Sequence, residues 1–152
     1  MSDEVARPAS SIGPHVIVRG NAAGFLQEIE SGPYKFRADE PLAVGGTDSA
    51  PDPYDYLLAG LGACTSMTVG LQARRKKWPL TGVTVSLTHS RIHAQDCAEC
   101  ETKQGMLDRI EVEVTLDGPL TEAQRATLME AAGRCPVHRT LKSEIEIKVR
   151  SA

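Results

Sequence analysis

The run from Pro53 through Cys64 to Lys77 constrains this fold more than any other stretch of the chain. Leu57, Leu58, Leu61, Cys64, Thr65, Thr68 and Leu71 recur at the spacing of one helix face. Asp52 is positioned to cap that helix, with Pro53 at its first residue. Arg74, Arg75, Lys76 and Lys77 suit the negative end of the helix dipole, and Pro79 stops it. Gly60 and Gly62 cost an isolated helix stability. The value of the run Ala59, Gly60, Leu61, Gly62, Ala63 therefore lies in letting another element approach the backbone closely, as a central helix requires.

Around this helix the pattern is mostly of strands. His15–Arg19, 24–30 and Tyr34–Ala38 read as a three-strand meander, followed by a long loop over Asp39–Asp52 that contains Gly45 and Gly46. Val83–Ile92 and Arg109–Asp117 alternate as half-buried antiparallel strands. Thr121 and Gln124 open a second helix through Leu128 and Ala132 to Gly133. Cys135 and Pro136 restart the chain as a short helix, and Glu144–Arg150, with Ile145, Ile147 and Val149 on one face, reads as a last strand. The expected class is α+β: antiparallel sheet, a long cysteine-bearing central helix and a second helix. The central helix's apolar stripe asks for more cover than one sheet supplies, and a dimer would supply it.

The 152 residues suit one domain, taken as 14–152 behind a flexible leader at 1–13. A net charge of -3 leaves no general basic surface for a nucleic acid. No stretch approaches the ~20 apolar residues of a membrane span. The start carries acids where a signal peptide would carry bases, which points to the cytoplasm.

In a reducing compartment four cysteines are redox or metal groups before they are a disulfide framework. Cys64 lies among small and hydroxyl residues; a core role and a chemical role are both open to it. Cys135, at a helix start with Arg134, His138 and Arg139 nearby, is placed to be an activated thiol. Cys97 and Cys100 form a CxxC, with His89 and His93 upstream on a strand. A zinc set, a reducible hairpin and no role at all are the three open readings.

Several of these pieces together resemble the OsmC/Ohr family: residues 38–41, Gly45 with Gly46, the run 53–68, Lys77-Trp78-Pro79, and Cys135 through Leu141. The likeness runs from about Val16 to Val149 and is nearest to the OsmC-like branch carrying an extra hairpin like 89–100. The resemblance implies an intertwined homodimer, with the cysteine-bearing helices packed centrally. It also implies a thiol peroxidase without metal or other cofactor. The cysteine matching Cys64 attacks a peroxide and becomes a sulfenic acid, the one matching Cys135 resolves it as a disulfide, and a dithiol reduces that.

In the family a Glu just after the helix-opening Pro orients an Arg onto the thiolate. Here Tyr54 stands in that place with Asp55 beside it, and Arg19 or Arg37 would supply the cation. The expected site is thus Cys64 and Cys135, supported by Arg19, Arg37, Asp55 and His138. An organic hydroperoxide is the expected substrate, because small apolar residues near Cys64 would line an apolar pocket. The 97–100 hairpin is expected to be dispensable. The competing reading is a non-catalytic module binding zinc, through His89, His93, Cys97 and Cys100, or a small apolar ligand.

Overall fold

The computed structural model describes residues 15–152 in two compact units that divide between Tyr56 and Leu57. The expected leader at 1–13 lies outside the described residues.

The first unit is built on the meander. Strands β1 (Val16–Arg19), β2 (Gln27–Ser31) and β3 (Tyr34–Ala38) form an antiparallel sheet in the order β1-β2-β3. Val18 pairs with Ile29, and Ile29 with Phe36. Val16 and Val18 on β1 are exposed within this unit.

The 39–52 loop is ordered by a single carboxylate. Buried Asp39 accepts hydrogen bonds from the backbone N–H groups of Glu40 at 2.8 Å, Thr47 at 3.1 Å and Ser49 at 3.1 Å, and from the hydroxyls of Thr47 and Ser49. These donors, that of Thr47 foremost, hold its pKa far below the ordinary carboxylate range. Gly46 is required here: a Cβ would stand 1.8 Å from the carbonyl oxygen of Glu40.

Helix α1 (Pro53–Lys76) begins as expected. Asp55 N–H donates to Asp52 Oδ1 at 2.9 Å and Asp52 N–H donates back to Asp55 Oδ2 at 3.0 Å, a reciprocal cap.

In the second unit α1 continues and is followed by β4 (Gly82–His93) and β5 (Met106–Asp117), paired antiparallel from Gly82 with Asp117 to His93 with Met106. Helices α2 (Glu122–Ala132) and α3 (Pro136–Lys142) follow. The α2 start is the capping box read from Thr121 and Gln124. Val69, Ala73, Leu116, Leu128 and Ala132 form the core, with Trp78, Leu80 and Val83 packed on it.

Two expectations are corrected. The buried stripe of α1 is Leu61, Gly62, Thr65, Val69 and Ala73, whereas Leu57 and Leu71 are exposed. Apolar residues surround this helix, so periodicity alone does not select the face that β4, β5 and α2 cover. The segment Glu144–Arg150 is no strand; Ile147 is 79% and Val149 94% exposed. Alternation prepares one face for burial, but a strand also needs a neighbour's backbone to bond to, and within this unit the segment pairs with neither β4 nor β5.

Candidate functional site

Two elements of the second unit bring the free thiols of Cys64 and Cys135 together. Cys64 lies midway along α1 and is half-buried; Cys135 is the N-cap of α3 and fully buried. The two thiols are near enough for Cys135 to act on the protonation of Cys64. The opening of α3 serves both sulfurs: His138 N–H donates to Cys135 Sγ at 3.3 Å, and Val137 N–H is directed at Cys64. Pro136 holds the first turn in helical geometry without needing a donor there.

Two threonines that follow Cys64 complete the surroundings. Thr65, buried, donates its hydroxyl to Leu61 O at 2.8 Å and lies 3.7 Å from Cys135 Sγ. Thr68 donates to Cys64 O at 2.8 Å. Hydroxyls after the cysteine were visible in the sequence, but their service to Cys135 depends on where α3 docks.

Burial pushes the Cys64 thiol up, and the neighbouring Cys135 adds to this; Val137 N–H and Thr68 oppose it. Within residues 57–152 no Arg, Lys or His side chain is hydrogen-bonded to either sulfur. The supporting residues expected from sequence make these bonds in the structure. Arg19 pairs with Glu30 at 3.3 Å, the carbonyl of Arg37 accepts from the Tyr56 hydroxyl, and the Asp55 carboxylate caps α1. His138 reaches Cys135 through its backbone N–H rather than its ring.

A cavity of about 390 Å³ in the second unit is lined by Leu61, one helical turn before Cys64, and by His138, whose backbone N–H serves Cys135; neither thiol itself lines it. Its apolar wall is Leu61, Ile92, Leu107, Ile110, Val112 and Leu141, with Arg109, Asp108 and Lys142 also lining it. The expectation of a pocket lined by the small residues of α1 is corrected: that helix contributes only Leu61, and the β4–β5 hairpin contributes most of the rest. His138 lines it too, as do Cys97 and Cys100. A second hollow of about 350 Å³, in the first unit, is lined by Asp48, Asp52, Asp55 and neighbours and holds no thiol.

Cys97 and Cys100 are joined by a disulfide. His89 bonds Asp108 at 2.9 Å. His93 lies four residues further along β4, about 13 Å away at ~3.4 Å per residue, so one metal ion cannot take both rings. Among the described residues no group of three or more metal-ligating side chains comes together, nor is any helix long and apolar enough to cross a membrane.

The OsmC family model, described as OsmC-like protein, matches residues 46–150. A comparison with curated proteins finds no match. Among solved structures, the chain is similar to an OsmC-like protein from Mycoplasma pneumoniae: TM-score 0.65, 22% identity, covering 84% of this chain and 85% of that one. An organic hydroperoxide resistance protein from Elizabethkingia anophelis gives a TM-score of 0.64 at 20% identity, covering 91% and 94%. The organic hydroperoxide resistance protein OsmC of Legionella pneumophila gives 0.62 at 20%, covering 88% and 92%. At these identities the likeness establishes the antiparallel α+β fold.

Proposed function

This chain belongs to the OsmC-like protein family, and from that premise we propose that it is a thiol peroxidase reducing organic hydroperoxides. The observation that carries the reading is two free thiols from separate elements, close enough for Cys135 to act on Cys64 and both served by the opening turn of α3. The names of the Elizabethkingia and Legionella proteins support the substrate class.

In the proposed cycle the Cys64 thiolate attacks the terminal peroxide oxygen, the O–O bond breaks, and the alcohol leaves after taking a proton. Val137 N–H steadies the thiolate against the burial that disfavours it. Cys64 is then a sulfenic acid. Cys135, the neighbouring thiol, attacks that sulfur, expels water and closes the disulfide before a second oxidation can occur. An external dithiol returns both thiols.

A cytoplasmic homodimer is part of the proposal. Exposed Val16, Val18, Phe25 and Phe36 in the first unit, and Ile145, Ile147 and Val149 in the second, form apolar surface that a second copy would cover. A second reading, a module binding a small apolar ligand, draws on the six aliphatic side chains of the cavity.

Titration with one equivalent of an alkyl hydroperoxide, followed by thiol counting and peptide mass mapping, separates the two. Loss of two thiols, with release of one equivalent of alcohol and none in Cys64→Ser, is the expected result. Unchanged thiols with the peroxide intact would overturn the peroxidase reading in favour of the binding module.

A further inference from the structure

We infer that the Cys97–Cys100 pair is a second redox centre, which passes electrons from an external dithiol to the Cys64–Cys135 disulfide; this rests on the peroxidase reading. Sequence position alone set the hairpin apart from the cycle, but one cavity is lined by Cys97 and Cys100 at its tip and by Leu61 of α1 and His138 and Leu141 of α3. Cys97 and Cys100 both line the cavity, and two of its other lining residues lie next to the first thiol pair. Leu61 lies one helical turn before Cys64, and His138 donates its N–H to Cys135.

The tip is suited to exchange. A disulfide that skips two residues closes a very short loop, and loop closure is where a structural disulfide gains most of its entropic effect. Its value here is therefore chemical. Beyond the last ladder pair the tip is held by Ala94 N–H on Gly105 O at 2.8 Å, by turn bonds within 94–100, and by Lys103 Nζ on Cys97 O at 3.0 Å.

The exchange balances without further reactants. A thiolate of the reduced CxxC attacks Cys64 Sγ, the more exposed of the two, and the Cys64–Cys135 bond breaks. Cys135 leaves as the thiolate that His138 N–H already faces, and takes a proton. The second CxxC thiolate attacks the mixed disulfide, releasing Cys64, which is protonated in turn. Two electrons and two protons have moved. The pair left at 97–100 is a disulfide and the pair at 64 and 135 is two thiols, the state the structure holds. An external dithiol then reduces Cys97–Cys100, whose cysteines are half-buried where Cys135 is fully buried.

The test uses the full chain, fully reduced and then given one equivalent of tert-butyl hydroperoxide, with N-ethylmaleimide trapping and peptide mapping over time. The disulfide is expected first at 64–135 and then at 97–100. The Cys97→Ser/Cys100→Ser variant should lose its Cys64 and Cys135 thiols at the parental rate but recover them from dithiothreitol at least tenfold more slowly. Cys100→Ser alone should accumulate a Cys64–Cys97 mixed disulfide, and Cys64→Ser should leave 97 and 100 reduced. If the disulfide stays at 64–135 and the double variant recovers as fast as the parent, the relay is refuted while the peroxidase stands. If no thiol is lost at Cys64 or Cys135 in either protein, the peroxidase reading itself falls.

Discussion

Gly60 and Gly62 lie two positions apart on one helix, yet substitution by alanine should change stability in opposite directions. Alanine gains about 1 kcal/mol over glycine inside a helix whatever its surroundings. At Gly60 nothing lies within 4 Å of an added Cβ, so that gain is realised in full. At Gly62 the new methyl meets Leu87 Cδ1 at 2.6 Å, about 1 Å inside the ~3.5–4.0 Å separation of carbons in contact. Leu87 can turn away, but such overpacking costs about 1–3 kcal/mol. Gly62→Ala should therefore range from neutral to about 2 kcal/mol destabilised, and the two variants should differ by about 1–3 kcal/mol.

Urea unfolding at a single chain concentration, read as a midpoint shift at constant slope, measures the difference. Leu87→Ala should abolish it in a double-mutant cycle. Equal midpoints for the two variants would refute the close approach of α1 to β4. A loss at Gly60→Ala would instead reveal another surface against that residue, as a central helix in a dimer provides.

Because burial pushes the Cys64 thiol up, its alkylation rate should rise with pH through a midpoint above the ~8.5 of free cysteine. A midpoint below that value would require a cation at the sulfur, the role for which Arg19 and Arg37 are the sequence candidates. The depressed pKa of Asp39 means its contribution is fully present above the unfolded value of ~3.9 and drains away as pH falls towards the folded one. Asp39→Asn should thus lower the urea midpoint more at pH ~7 than at pH ~3, and an equal loss at both would show that the carboxylate charge is not what orders the 39–52 loop. Leu128→Ala, at a fully buried core position, should cost about 2–5 kcal/mol by the same unfolding measurement; a loss under ~1 kcal/mol would contradict the packing of α2 on β5.

The elements legible in advance were those whose signals are local. The α1 start reads directly from Asp52, Pro53 and Asp55, and the α2 start from Thr121 and Gln124, because a capping side chain bonds backbone within its own turn. Cys135 before Pro136 likewise announces an N-cap sulfur. Asp39, by contrast, carries no mark in sequence. Its donors Thr47 and Ser49 come from the far side of a loop whose path Gly45 and Gly46 permit without specifying. The 144–150 run shows the opposite failure, a clear alternating pattern whose pairing depends on a backbone lying elsewhere.

The sequence by itself therefore determined the order and type of most elements, the class of fold and the pair of cysteines worth pursuing, since periodicity, capping and turn chemistry act over a few residues. Tertiary structure alone decided which face of α1 is buried, that Val137 and His138 present N–H groups to two sulfurs, and that Cys97 and Cys100 share a cavity with Leu61 and His138. Each of these rests on the docking of elements distant in the chain. Such docking is selected by the summed burial of many side chains, and no single local motif encodes it.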